Sequence, residues 1–145
     1  MIFLGIKQPE HWQWIRERAR CHITLSSKGV IAIDKNGVPC AALVLDSWTP
    51  TGGQFHIAVE NPMVIRHGFF HAGFRYFYQT CGKLVLTAMT PADNDRALKL
   101  AKRVGFRETH RIKDGYNYGV DMVVLEMRKE ECKWLHQEVR NADAA

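Results

Sequence analysis

The sequence predicts a mixed α/β domain, a mostly antiparallel central sheet flanked by helices. Three observations lead there. Short apolar runs alternate with polar residues between turn signals: over residues 54–60, Phe55, Ile57 and Val59 interleave with Gln54, His56 and Glu60, the period of a half-buried strand. Other stretches carry helical spacing with start and stop residues at their ends. Three strand-like runs come first, and a strand–helix–strand unit follows, which needs a crossover and so a parallel pair within an otherwise antiparallel sheet.

The elements follow in order. Residues 2–6 form a short apolar run that reads as a strand or lead-in. A helix begins at Pro9, where a missing N–H costs little. Its Trp12, Ile15 and Ala19 repeat at helical spacing and face the sheet, with Arg16, Arg18 and Arg20 largely opposite. Strands over 30–34 and 38–46 flank Asn36-Gly37, a hairpin signal because both residues accept positive φ. A loop over 48–53 leads to the strand 54–60. Asn61-Pro62 then opens a helix running to about Thr80, with Phe69, Phe70, Phe74 and Phe77 among its apolar positions and Gly82 placed to end it. A dense β run covers 83–88. A helix covers 95–104, capped by Asn94 or Asp93 and stopped by Gly105. Strands over 107–113 and 120–127 enclose an Asp114-Gly115 turn, and a last helix is expected over about 129–140.

Length and composition narrow the class. The 145 residues suit one domain, 1–145, with a core over about 28–128. Hydrophobic residues make up 46% and charged residues 24%, which excludes a disordered chain. No apolar run approaches the length of a membrane span, and the start lacks the pattern of an export signal, so the expected setting is the cytoplasm, with no membrane partner. The four cysteines, Cys21, Cys40, Cys81 and Cys132, are widely spaced and read as free, mostly buried thiols. A net charge of +5 favours anionic partners, with nucleic acid among them, although the basic residues are spread out as on a solvated mixed-charge surface.

The stretch from Asn94 to Phe106, with Asn94, Ala97, Leu100, Gly105 and Phe106 in their places, resembles the N-x-x-A-x-x-L-(Y)-x-x-x-G-F pattern of the GNAT superfamily of acyl-CoA N-acyltransferases. Local physics agrees with it: Asn94 caps the helix, Ala97 and Leu100 face the sheet, Gly105 ends the helix and Phe106 plugs the core. Asp46 to Pro50, Arg111 to Gly115, Gly119 to Asp121, Glu126 to Lys129 and Cys132 to Leu135 are similar to GNAT-like proteins encoded by tailed bacteriophages. The resemblance implies two splayed parallel strands with a cosubstrate, acetyl-CoA, between them, and an acceptor amine that the sequence does not identify.

It also implies site residues. The family's phosphate-binding loop, (Q/R)-x-x-G-x-(G/A), matches Ile65, Arg66, His67, Gly68, Phe69 and Phe70. Gly68 fits the first glycine, Ile65 replaces the usual polar residue, and Phe70 replaces the second small one. Such a loop binds phosphate by main-chain N–H groups at a helix N-terminus. Ala58 and Val59 would pair with the peptide-like pantetheine arm, and Asn94 and Lys102 would border the CoA phosphates. His56 and Glu60 are candidates for the base that deprotonates the amine, or polar residues on an exposed strand face. Ala101 stands where many members carry a general-acid tyrosine, a role that could pass to Tyr116, Tyr118 or water, or be dispensable because a CoA thiolate is a tolerable leaving group. His67 and His71, at i and i+4, lack a third ligand for a metal. The sequence thus points to an N-acetyltransferase, with a non-catalytic GNAT-like phage protein, binding or virion-associated, as the alternative.

Overall fold

The computed structural model describes residues 1–19 and 21–136. Seven strands form one sheet in the order β1-β2-β3-β4-β5-β7-β6. They are β1 (Ile2–Gly5), β2 (Lys28–Ile33), β3 (Pro39–Asp46), β4 (Gly52–Val59), β5 (Val85–Pro91), β6 (Arg107–Asn117) and β7 (Val120–Arg128). Every neighbouring pair is antiparallel except β4 and β5, which run parallel. This is the predicted mixed sheet, with the crossover where the strand–helix–strand order demands it.

Helices cover both faces, which is why β3 is apolar without alternation. Its residues 40–46 are all buried. Ala42 and Val44 pack with Ile15, Trp12 and Trp14 of α1 (Pro9–Ala19). Ala41, Leu43 and Leu45 pack on the other face with Phe69, Phe70, Phe74 and Phe77, and α4 (Asp95–Val104) joins that core through Leu98, Ala101 and Val104. The face of α4 is thus Leu98, Ala101 and Val104, with Ala97 and Leu100 at its margins, a rotation of about one residue from the expected face.

The expected helix over 61–80 is interrupted. A single turn, α2 (Met63–Arg66), closes at His67, and α3 (Phe69–Arg75) starts afresh after Gly68. Gly68 takes φ 88°, a left-handed conformation natural to glycine, which periodicity alone could not reveal. A π-helical stretch, Tyr76–Thr80, ends the helix before Gly82. It turns Tyr78 fully inward, where the hydroxyl donates to the Met127 carbonyl oxygen and burial pushes its pKa up.

Two turns differ from expectation. At 34–38 only Gly37 has positive φ; the Asp34 carboxylate accepts from the N–H groups of Asn36 and Val38, so an Asx-type turn replaces the two-residue hairpin. Asp114-Gly115 lies inside β6 at a register irregularity, and the true turn is Tyr118-Gly119. Asp114 holds that turn by accepting from the Gly119 N–H. Beyond β7 the expected α-helix is replaced over its first part by two 3₁₀ turns, Lys129–Glu131 and Lys133–Leu135. The rest of that helix, and Arg20, lie outside the described residues. Cys40 and Cys132 are buried, Cys21 and Cys81 half-buried, and none is paired; burial pushes the Cys132 thiol up to about 11.

Gly105 ends α4 with φ 128°, and Phe106 is buried beside Phe55 with ring centroids 5.0 Å apart. A Cβ on Gly105 would sit 3.0 Å from Met127 Sδ. Gly105→Val is therefore expected to cost about 2 kcal/mol, since a β-branched residue resists that backbone conformation. A thermal melt would register this as a fall of roughly 4–8 °C, and an unchanged midpoint would refute it.

Candidate functional site

Among the described residues, the sheet opens at the parallel pair. β4 and β5 are in register only at Gly52↔Val85, Gly53↔Leu86 and Gln54↔Thr87. Past that point β4 continues to Val59, paired with β3 alone, and β5 continues to Pro91, paired with β7 alone. The strands therefore splay, and each presents an unpaired backbone edge to the gap. Edges of this kind accept a further extended, amide-bearing chain. Phe55, stacked on Phe74 at 5.7 Å and close to Phe106, fills the gap from the helical side. A shallow cleft lined by Ser47, Thr49, Thr51, Gly52, Gln54 and Thr87 lies along the paired part of the two strands, up to the point where they separate.

At the open end, Glu60, Asn61 and Pro62 lead from β4 into α2, with the Glu60 and Asn61 N–H groups bonded to the Cys40 carbonyl. The N–H groups of His67 and Gly68 turn back to Met63 and Ile65. The first N–H to close an α-helical bond in α3 is that of Ala72, to the Gly68 carbonyl at 3.0 Å. Helix geometry leaves the N–H groups of Phe69 and Phe70 outside that ladder, at the positive end of the helix dipole. The Phe70 ring does not obstruct them: it is 1% exposed and packs between Phe74 and Trp134 at 5.8 and 5.1 Å. Arg66 is exposed beside this end. His71 is buried with its ring edge-on to Trp134, so it and His67 do not jointly face solvent, and no three His, Cys, Asp or Glu side chains converge among the described residues.

On the α1 face of β4, His56 is one quarter exposed and its Nε2 lies 2.9 Å from Asp46 Oδ2. Asp46 was not marked by the sequence as a site residue; its one signal is a charge ending an otherwise apolar strand. Burial first, and the Asp46 carboxylate second, push the Cys21 thiol up. Glu60 is held differently. Arg18 of α1 donates from Nε to Glu60 Oε1 at 2.5 Å while stacking on Trp14 at 4.3 Å, so this carboxylate pins α1 to the end of β4.

Splayed parallel strands in a seven-stranded sheet, with one helix crossing between them and another following, form the frame of a known group of acetyltransferases. Spermidine/spermine N-acetyltransferase SpeG from Vibrio cholerae, solved with manganese ions, superimposes with a TM-score of 0.73 over 93% of this chain and 95% of its own, at 9% identity. The ribosomal-protein-S5-alanine acetyltransferase from Vibrio fischeri superimposes with a TM-score of 0.61 over 74% of this chain and 64% of its own, at 13% identity. The chain has the GNAT fold. No protein-family model and no curated protein sequence matches it, so the likeness is one of architecture.

Within the GNAT fold the remaining candidates can be placed. Ala58 and Val59 lie on the unpaired half of β4. The Asn94 side chain accepts from the Ala97 N–H at 3.2 Å and so caps α4, which starts where β5 ends. Lys102, exposed on α4, has its ammonium 3.7 Å from Glu108. Tyr116 is half exposed near the tip of the β6–β7 hairpin. β7 brings that tip toward the open end, because Met122 pairs with Pro91 at the end of β5. Ala101 is 7% exposed in the core, so a tyrosine there would have to displace packed neighbours. Trp134 carried no packing role in the sequence reading. It packs on Phe70 and His71 while its indole donates to the Val104 carbonyl at 2.7 Å, joining the ends of α3 and α4.

Proposed function

We propose that this chain is an N-acetyltransferase that moves an acetyl group from acetyl-CoA to a primary amine. The observation that carries the reading is the splay of β4 from β5 beyond Gln54, with the start of α3 at its mouth and the Phe70 ring turned away into the core. Acetyl-CoA supplies the thioester. The backbone of Ala58 and Val59 would bind the amide groups of the pantetheine arm as an added strand would. Gly68, Phe69 and Phe70 would offer main-chain N–H groups to the pyrophosphate, with Arg66 and His67 beside them and Asn94 and Lys102 bordering the nucleotide end. His56 would take the proton from the acceptor. Between the two base candidates it is favoured because Glu60 is already committed to Arg18. Tyr116, from the hairpin tip, is the candidate to return a proton to the leaving sulfur.

The bacteriophage likeness of the segments named above bears on origin and adds nothing to this chemistry. The activities named for the similar structures make spermidine and ribosomal protein S5 the first acceptors to assay.

Calorimetric titration with acetyl-CoA tests the reading. Wild type is expected to bind, and Arg66→Ala to weaken Kd by roughly tenfold to a hundredfold, the size of one charge-assisted contact of about 1.5–3 kcal/mol. The variant should keep its thermal midpoint, because Arg66 is exposed and its head group is not packed. No heat of binding at millimolar acetyl-CoA would overturn the enzymatic reading and leave the non-catalytic one.

A further inference from the structure

We infer that Asp46 is a positioning residue for His56, holding the imidazole with its proton on Nε2 and leaving Nδ1 to receive the proton of the acceptor amine. The inference rests on the reading of His56 as the base. Asp46 is 8% exposed at the end of a strand buried on both faces, where an unpartnered carboxylate is costly. Register brings the two residues together: Val44 pairs with His56 and Asp46 with Gln54, so both side chains stand on the face under α1, as diagonal neighbours within reach of each other. Asp46 Oδ1 and His56 Nε2 are both shielded from solvent without a formed hydrogen bond, and Oδ2 lies 2.9 Å from Nε2, close in distance but not aligned as a hydrogen bond. The polar demand of the carboxylate thus falls on that ring nitrogen, and only a protonated nitrogen meets it.

The solvent pattern assigns the other nitrogen. Nε2 is shielded although the His56 side chain is 27% exposed, so water and ligands reach the ring by its remaining atoms. Nδ1 is the ring nitrogen nearer the strand backbone, and residue 56 is two positions past Gln54, the last residue of β4 in register with β5. That places His56 on the half of β4 that borders the splay. Among the described residues, the neighbouring groups leave the pair to itself. Arg18 of α1 goes to Glu60, and the nearby Cys21 thiol, with its pKa raised, stays neutral.

The step balances. An acceptor ammonium gives one proton to Nδ1 and becomes a neutral amine. Its lone pair forms the C–N bond at the thioester carbonyl carbon, the C–S bond breaks, and its electron pair leaves on sulfur. The second proton of the attacking nitrogen passes to that thiolate, and the imidazolium returns its own proton to solvent.

Long-range ¹H–¹⁵N spectra of the imidazoles at pH 8 test the first half without any substrate. Wild type is expected to show His56 protonated on Nε2, Asp46→Asn to lose that preference, and Asp46→Glu to keep it. A wild-type ring protonated on Nδ1 overturns the inference whether or not the variants fold. Steady-state kinetics with acetyl-CoA and spermidine test the second half. Asp46→Asn is expected to lower kcat by roughly tenfold to a hundredfold with KM for acetyl-CoA within about twofold, and Asp46→Glu to recover part of it. A merely structural carboxylate would move the melting temperature and leave kcat per folded molecule unchanged, which also overturns it. Absence of turnover by wild type with any amine would instead sink the acetyl-transfer reading, a failure that the substrate-free tautomer keeps separate.

Discussion

Replacing Gly29 by alanine is expected to cost about 3 kcal/mol or more and to leave little folded protein at 37 °C. Gly29 lies in β2 opposite Val44, and a Cβ on it would stand 2.0 Å from the Leu43 carbonyl oxygen and 3.0 Å from Ile6 Cδ1. The first of these is backbone, which cannot rotate away as a side chain can. Nor can β3 shift, because it is paired on both edges and buried on both faces. The added methyl must therefore part β2 from β3, and the α1 core with it. Gly5→Ala is the control: nothing lies within 4 Å of its added Cβ, and it should change stability by less than about 0.5 kcal/mol. Urea melts of the two variants would check the contrast. Equal midpoints would mean that the β2–β3 spacing is looser than described.

The largest effect on turnover is expected at His56. If it is the base, His56→Gln should lower kcat by roughly a hundredfold to ten-thousandfold, the range of a positioned general base. Acetyl-CoA affinity should hardly change, because the phosphate loop and the β4 edge are untouched. Glutamine keeps polarity and approximate reach but cannot accept a proton, so the variant separates proton transfer from packing. Glu60→Gln would break the contact with Arg18, and its cost should show mainly in the seating of α1. A His56→Gln enzyme with wild-type kcat, or a greater loss at Glu60, would move the base to Glu60.

What the sequence carried, and what it could not, follows from the range of the interactions. The bounds of the helix 95–104 were legible to the residue because its cap and glycine stop lie within one short segment, while its buried face is turned by about one residue from the expected one. The break at Gly68 was not, since the aromatic residues on either side keep helical spacing through it. Asp114-Gly115 has the composition of a turn, yet the cross-strand bond from the Asp114 N–H to the Asp121 carboxylate keeps it inside β6. His56 was readable as a titratable residue on a strand. Its partner lies ten positions earlier, and only the β3–β4 register joins them. Trp134 reaches α3 and α4 from a segment far along the chain, so no local pattern announces it.

That tryptophan has a consequence for the order in which the molecule assembles. Synthesis proceeds from the amino terminus, so all seven strands are made before Trp134 emerges. Until then the Phe70 ring lacks one of its neighbours, and the Val104 carbonyl lacks its indole donor. The mouth of the splay is thus finished after the sheet behind it, and a nascent chain stopped short of residue 134 would have its strands in place while the fastening between its two central helices was still missing.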